Sequence, residues 1–283
     1  MNRNGRKGLF VLAFLFFAGM AAFSGYKVYT ILTEYRVGAE SAQNLQQYVT
    51  LQPEVSETAP AKMEISVPDE PAADTPAPTE ITETTEATEA TEPSVQYPVV
   101  DFEALKKVNS DVHGWIYIAG TSISFPIVQG VDNDYYLTRL PDGTSNSSGS
   151  IFLDYRNASD FSDYHTIIYG HNMKNGTMFA DVTKYKKKAY YEEHSVGMIM
   201  TPQGNFQIEV IGGYVADLWD PAWNLHFETE QDRQDWLRDA MARSDVGGDY
   251  VPAGGEKIIT LSTCSYEFED ARFVLICRVL DEF

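Results

Sequence analysis

Positive charge is scarce in this sequence of 283 residues. Lys and Arg number 21 against 41 Asp and Glu, which gives a formal net charge of -20. Contacts with nucleic-acid phosphates need clustered Lys and Arg, so the sequence argues against a nucleic-acid partner. The densest basic run, residues 184–188, is interpreted as the solvated end of a helix.

Metal-binding and cofactor-binding patterns are also lacking. Four histidines have no ligand spacing such as HExxH and no cysteine cluster beside them, and no nucleotide-binding motif is visible. They are His113, His165, His194 and His226. We therefore predict neither a metal nor a cofactor. His165 remains an alternative contributor to a cleft, because it lies six residues before His171.

One of only two cysteines occupies a position typical of a nucleophile. Cys264 ends the alternating run EKIITLST, and Arg272 opens a second apolar run, RFVLICRVL, after a polar turn. Two such runs predict an antiparallel hairpin with Cys264 and Arg272 facing each other across its open end. A fixed cation beside a thiol favours the reactive thiolate.

The second cysteine, Cys277, raises the alternative that it forms a disulfide with Cys264. In the predicted hairpin Cys277 lies about five residues, or roughly 16 Å, from the level of Cys264. A disulfide needs Cα atoms within about 7 Å. We therefore predict two free thiols, with Cys277 buried among apolar residues of its strand.

Short β-like runs dominate the chain from residue 97 onward. Eight runs with turn residues between them predict a closed or nearly closed β barrel. They are WIYI, ISFPIV, SIFL, TIIYG, SVGMIM, FQIEVIGGYVADL, KIITLST and RFVLICRVL. Helices are predicted from Asp101, which could cap its own helix, to Val108, over residues 176–191 and over residues 230–244.

A plausible proton-transfer partner for Cys264 is His171, which follows the β-like run 166–170. LSTC followed by Arg272, together with YGHNM, resembles a sortase. YEFEDAR after the cysteine, and DVHGWIYIAGTSISFPIVQGVDNDYYL and GSIFLDYRN upstream, resemble class B sortases in particular. The resemblance covers roughly residues 99–281. It implies a mainly β sortase barrel of eight strands, with an N-terminal helix and a helix between the sixth and seventh strands.

The resemblance also implies that the reaction is transpeptidation, which needs no cofactor. Cys264 would attack a threonine carbonyl in a C-terminal sorting motif of a secreted protein, giving a thioacyl intermediate. His171 would protonate the leaving amine and then deprotonate the incoming one, an amine of peptidoglycan. Arg272 would hold the oxyanion, with the backbone amide after the cysteine as an additional donor.

Three other functions are compatible with the residues. A pilin-polymerising sortase would use a lysine acceptor, a hydrolytic cysteine protease would use water, and a membrane-tethered binding barrel would use none of the chemistry. The sequence does not give the sorting motif, which the resemblance assigns to a loop around residues 219–251.

The N-terminal residues predict a membrane anchor. Residues 9–25 are almost wholly apolar and follow Arg3, Arg6 and Lys7. Such a run can span a bilayer, and the preceding charges place residues 1–8 in the cytoplasm and the rest outside. We favour an uncleaved anchor over residues 9–29. A cleaved signal peptide is the alternative, since AAFSG weakly resembles a cleavage site.

Two segments separate this anchor from the catalytic domain, which is predicted at residues 97–283. Residues 30–50 are a juxtamembrane segment that could continue the helix. Residues 51–96 are rich in Pro, Thr and Glu, with a near-repeat in TETTEATEATEPS, and predict a disordered stalk. A flexible stalk would let the catalytic domain reach a range of positions above the membrane. A rod with no role beyond spacing is equally compatible with the sequence.

Overall fold

The apolar runs of the sequence form the strands of a barrel. A computed structural model describes residues 3–51, 98–247 and 250–282. The helices are α1 (Arg3–Leu45), α2 (Phe102–Val108), α3 (Lys188–Glu193) and α4 (Glu230–Ala242). The strands are β1 (Val49–Leu51), β2 (Pro98–Val100), β3 (Val112–Tyr117), β4 (Ser124–Val128), β5 (Ile151–Leu153), β6 (His165–Tyr169), β7 (Val196–Met200), β8 (Asn205–Ala216), β9 (Ile258–Cys264) and β10 (Arg272–Glu282). Short 3-10 helices span Gln46–Tyr48, Tyr135–Thr138, Phe179–Lys186 and Pro221–Trp223.

Strands β3 to β10 close into the predicted eight-stranded barrel. Their order is β10-β8-β7-β3-β4-β5-β6-β9, and β9 pairs with β10 to complete the circle. The β4–β5 and β6–β9 pairs are parallel, and the other pairs are antiparallel. Alternate side chains such as Ile116, Ile199, Leu261 and Leu275 fill the interior. The parallel β6–β9 pair brings the ends of these two strands to the same edge of the sheet.

The β9–β10 hairpin has the register that the sequence predicts. Arg272 lies directly opposite Cys264, and Cys277 lies opposite Ile259. Both thiols are free, as predicted, and Cys277 is fully buried. Burial raises the pKa of the Cys277 thiol, so that this cysteine stays protonated and unreactive.

Two predicted helices are confirmed by their capping contacts. Asp101 caps α2, where its Oδ1 accepts a hydrogen bond of 2.9 Å from the amide of Ala104. Thr229 and Asp232 form a reciprocal capping box at the start of α4. Helix α4 lies between the sixth and seventh barrel strands, β8 and β9, as the resemblance implies. Its buried side chains are Trp236, Leu237 and Ala240.

The helix predicted over residues 176–191 is instead two short elements. A 3-10 helix covers Phe179–Lys186, Lys187 is extended, and α3 follows. Phe179, Val182 and Tyr185 are all fully buried at a spacing of three residues. That spacing places side chains on one line of a 3-10 helix, which has three residues per turn.

Helix α1 is one continuous helix that ends beyond its apolar part. It is long and apolar enough to cross a bilayer. Its end packs into the domain, since Leu45 is buried with Leu105 and Trp115. Residues 1–50 and 99–283 form one unit, whereas the second unit, residues 51–98, is described only at Leu51 and Pro98. Apart from Leu51, the predicted stalk at residues 51–96 lies outside the described residues.

Candidate active site

The parallel pairing of β6 and β9 brings the two sequence motifs together. Gly170 donates its amide to the carbonyl of Ser262 at 3.0 Å and accepts a hydrogen bond of 2.7 Å from Thr263 Oγ1. His171 follows Gly170, and Cys264 follows Thr263, so both side chains emerge at the same end of the barrel. The two side chains are close enough for each to shift the pKa of the other, and both are half-buried.

The ring orientation of His171 is set by a backbone carbonyl. Its Nε2 lies 2.7 Å from the oxygen of Leu137. A carbonyl oxygen only accepts hydrogen bonds, so Nε2 carries a proton, and Nδ1 remains for the thiol of Cys264. The imidazole is therefore held in the tautomer that can exchange a proton with sulfur.

The electrostatics of the pair favour its charged form. Interaction with the Cys264 thiol raises the pKa of His171 above its ordinary value, against the opposing effect of burial, and the Leu137 carbonyl adds to the rise. Interaction with His171 lowers the pKa of Cys264 against the opposing effect of burial, and Arg272 lowers it further. Both shifts favour a thiolate beside an imidazolium.

Replacing His171 by alanine is expected to slow alkylation of Cys264 by iodoacetamide at neutral pH. Without the ring, the thiol loses the main interaction that lowers its pKa, so the midpoint of the alkylation profile should move to higher pH. His226→Ala, at an exposed histidine, is the matched control. An unchanged profile in His171→Ala would show that the imidazole does not control the thiol.

Arg272 lies opposite Cys264 in the hairpin, with much of its hydrogen-bonding capacity unused. Its Nη1 donates to the carbonyls of Asp270 and Ala271, both at 3.1 Å. Glu267, an acidic neighbour in sequence, pairs with Lys186. Within the described part of the chain, no acidic side chain forms an ion pair with Arg272, so its remaining N–H groups can contact a bound carbonyl or oxyanion.

A groove of about 360 Å³ is lined by Arg272 and by Leu137, whose carbonyl contacts His171. Its lining is Asn133, Asp134, Leu137, Phe152, Arg156, Tyr169, Leu218, Trp223, Ser262 and Arg272. The Ser262 hydroxyl is buried and has no hydrogen-bond partner among the described residues. A bound molecule can supply that partner, and the new hydrogen bond would remove the free-energy cost of leaving a buried hydroxyl unpaired.

An ion pair between the buried Asp154 and the exposed Arg156 supports the wall of this groove. The Asp154 carboxylate accepts from Arg156 Nε at 2.9 Å and Nη2 at 2.7 Å, and from the Tyr169 hydroxyl at 3.0 Å. These donors outweigh burial and lower the pKa of Asp154. The sequence predicts no role for these residues, although Asp154 and Arg156 lie two positions apart directly after the apolar run SIFL.

Comparison with known proteins places the chain in a family. No protein-family model matches it. It is 38% identical over 173 residues to the sortase B of Listeria monocytogenes, covering 60% of this chain and 70% of the relative. The chain belongs to the sortase B family. It is therefore a cysteine transpeptidase, as the resemblance implies.

Two solved sortase B structures share its fold. The Staphylococcus aureus sortase B–substrate complex matches with a TM-score of 0.60 and 33% identity, covering 64% of this chain and 84% of that one. A sortase B complexed with triglycine matches with a TM-score of 0.60 and 33% identity, covering 64% and 85%. The eight-stranded sortase barrel predicted from the sequence is confirmed.

The turn after Cys264 in this sortase is fastened to neighbouring elements. Asn172 Nδ2 donates to the carbonyl of Cys264 at 3.0 Å. Lys186 Nζ donates to Ser265 Oγ at 2.8 Å and also pairs with Glu267. The Ser265 amide, expected as an additional oxyanion donor, already donates to the carbonyl of Ala271 at 2.9 Å. In this conformation Arg272 is the donor with unused capacity.

Lys186→Ala is expected to loosen the turn 265–271 and to lower kcat by about three- to tenfold. A half-exposed ion pair contributes only about 0–1 kcal/mol, so the fold should persist. Hydrogen exchange of residues 265–271 measures the loosening. Lys188→Ala is the matched control, because Lys188 pairs with Glu192 at 3.6 Å on α3. Unchanged exchange in the turn of Lys186→Ala would contradict the expectation.

His165, the alternative histidine, is engaged elsewhere. Its Nδ1 lies 2.7 Å from the Asn224 carbonyl, and its Nε2 lies 2.8 Å from Thr260 Oγ1. The ring is buried, and burial lowers its pKa to about 4. A neutral ring with both nitrogens occupied fits a packing role and gives no support to a catalytic one.

Proposed function

We propose that this sortase cleaves a C-terminal sorting motif of secreted proteins after threonine and joins the product to a peptidoglycan amine. The observation that carries the proposal is the convergence of Cys264, His171 and Arg272 beside the groove. A thiol, an imidazole and a guanidinium in one place supply a nucleophile, a proton carrier and an anion ligand.

In the first displacement, the Cys264 thiolate attacks the threonine carbonyl carbon. The C–S bond forms while the carbonyl electrons move to oxygen, and Arg272 stabilises that oxyanion. The imidazolium of His171 gives its Nδ1 proton to the leaving amine as the peptide C–N bond breaks. The product of this step is a thioester on Cys264.

In the second displacement, a primary amine attacks the thioester carbon. His171, now neutral, takes the proton from the amine, and the thiolate of Cys264 leaves. The triglycine bound by a related sortase B supports an amine at the end of a short glycine-like peptide as the acceptor. Water in place of the amine would make the same site a thiol hydrolase.

The groove is the proposed binding site for the sorting motif. It is lined by Arg272 and by the unpartnered hydroxyl of Ser262, which lies two residues before the nucleophile. The S. aureus structure with a bound substrate supports a peptide as the occupant.

The proposed location is the cell membrane. Helix α1 is long and apolar enough to cross it. The sequence carries Arg3, Arg6 and Lys7 before the apolar run, which favours a cytoplasmic N-terminus and an extracytoplasmic barrel. There the enzyme would meet secreted proteins and wall precursors.

The test uses the full chain in detergent, peptides with varied sorting motifs, and triglycine, followed by mass spectrometry. We expect a thioacyl adduct on Cys264 that transfers to triglycine. Hydrolysis that triglycine does not divert would indicate a protease. Ladders of protein oligomers with lysine-bearing subunits would indicate pilin polymerisation. No adduct on a Cys264 that still alkylates would indicate a binding barrel.

A further inference from the structure

The end of α1 rests directly on the segment 144–150. Asn146 Nδ2 donates to the carbonyl of Glu34 at 3.0 Å, and Ser147 Oγ donates to Glu34 Oε2 at 2.5 Å. One turn further on, Gly38 is buried, and a Cβ added there would lie 2.6 Å from Ser148 Oγ. The helix backbone at Gly38 therefore touches the segment, with no space for a larger side chain.

The same segment lies against the catalytic histidine. Gly149 has a φ of +59°, and a Cβ there would lie 2.6 Å from the Leu137 oxygen and 3.0 Å from His171 Cδ2. A side chain at this position would thus collide with both the histidine ring and the carbonyl that accepts from its Nε2. Because the Gly149 backbone lies close to both groups, a displacement of the segment would also displace them.

Hydrogen bonds connect the α1 contact to the two residues that flank Leu137 in the chain. The amide of Asn146 donates to the Thr138 carbonyl, and the amide of Ser150 donates to the Tyr136 carbonyl, both at 3.0 Å. Asn146 Oδ1 also accepts from the Ser148 amide at 2.9 Å. Asn146 and Ser148 are almost fully buried. Packed, hydrogen-bonded segments of this kind move together rather than independently.

We propose that the contact of α1 with residues 146–148 is a positioning element for His171, so that the helix proposed to enter the membrane also sets the proton-transfer geometry. Glu34 and Gly38 are positioning residues, and neither touches the reacting atoms. The role in turnover rests on the proposed function, whereas the effect on the Cys264–His171 pair does not.

The expected mechanism is a weaker hydrogen bond from His171 Nε2 to Leu137. The Leu137 carbonyl favours the imidazolium form of His171. Two titratable or charged side chains also act on the ring, namely Cys264, which raises its pKa, and Arg272, which lowers it. A less stable imidazolium supports the thiolate less, so Cys264 should alkylate with a midpoint at higher pH. A contact that only added stability would change the melting temperature and leave this midpoint alone.

The experiment compares Gly38→Leu with Gly25→Leu in the full chain in detergent. Both changes remove a glycine from α1, but a Cβ at Gly25 meets nothing within 4 Å. For Gly38→Leu we expect the iodoacetamide midpoint of Cys264 to rise by about 0.5–1 pH unit. We expect kcat to fall about tenfold, with KM within about twofold. Gly25→Leu should match the wild type.

A second pair of variants tests the same contact in case Gly38→Leu does not fold. Glu34→Ala removes the acceptor of Ser147, and Glu34→Gln keeps a side-chain oxygen there. We expect the alanine variant to shift the midpoint in the same direction and the glutamine variant to restore it. Wild-type midpoints and kcat in folded Gly38→Leu and Glu34→Ala would overturn the proposal. If the wild type fails to transfer peptides but the midpoint shifts persist, the proposed function fails and the positioning role stands.

Discussion

Replacing Cys264 by alanine is expected to reduce peptide transfer by more than about 10³-fold and to remove the thioacyl adduct. Among the described residues the other thiol, Cys277, is buried in the barrel core, and the roles proposed for His171 and Arg272 are proton transfer and charge stabilisation. The measurement is single-turnover transfer of a peptide to triglycine, with mass spectrometry of the intact enzyme.

The second cysteine provides the matched control. Cys277→Ala removes a buried sulfur from the barrel core, so we expect a loss of about 1–2 kcal/mol in the free energy of unfolding. Iodoacetamide should still label this variant once, at Cys264, and transfer should continue. Transfer by Cys264→Ala at a rate near that of Cys277→Ala would refute Cys264 as the nucleophile.

For Arg272→Ala, we expect kcat to fall by about 10²–10³-fold, with a much smaller change in KM. Loss of one oxyanion donor costs about 2.7–4 kcal/mol of transition-state stabilisation, and in this conformation the Ser265 amide is already engaged. Arg272→Lys should recover only part of the loss, because an ammonium lacks the planar fork of the guanidinium.

Replacing Arg278 tests whether the loss of kcat in Arg272→Ala comes from the missing oxyanion donor or only from removing a positive charge from β10. It lies on the same strand, opposite Ile258, where its Nε donates to Glu209 at 2.6 Å. Arg278→Ala should therefore leave kcat within about twofold of the wild type, since an exposed pair contributes about 1 kcal/mol or less. A larger loss of kcat in Arg278→Ala than in Arg272→Ala would assign oxyanion stabilisation elsewhere.

The hairpin that carries Cys264 and Arg272 was predictable because its register depends on local sequence. Two apolar runs and one turn determine which residues face each other, and the observed pair is the predicted one. The free thiols followed from the same register. The contact between His171 and Cys264 is different, because it depends on parallel pairing of β6 and β9, which are distant in the chain. In the sequence, only the general cysteine–histidine nucleophile pattern and the motif resemblance pair the two residues.

Other parts of the site carried weaker sequence signals. Leu137 acts through its backbone carbonyl, which any residue would supply, so its identity gives no indication of its contact with His171. The contact of Gly38 with Ser148 is likewise a matter of tertiary packing. The 3-10 helix at Phe179–Lys186 was mistaken for an α-helix because its buried residues, three apart, also fit one face of an α-helix over a short range.

Backbone pairing joins the two parts of the chain that flank residues 52–97, because β1 and β2 form a two-stranded sheet. The amide of Asp101 donates to the carbonyl of Tyr48 at 2.8 Å, so the chain before those residues and the chain after them meet. The end of α1 is therefore connected to the barrel by non-covalent contacts as well as by the residues between them in the chain. The distance from α1 to Cys264 is therefore set by these contacts and not by the number of residues between Leu51 and Pro98.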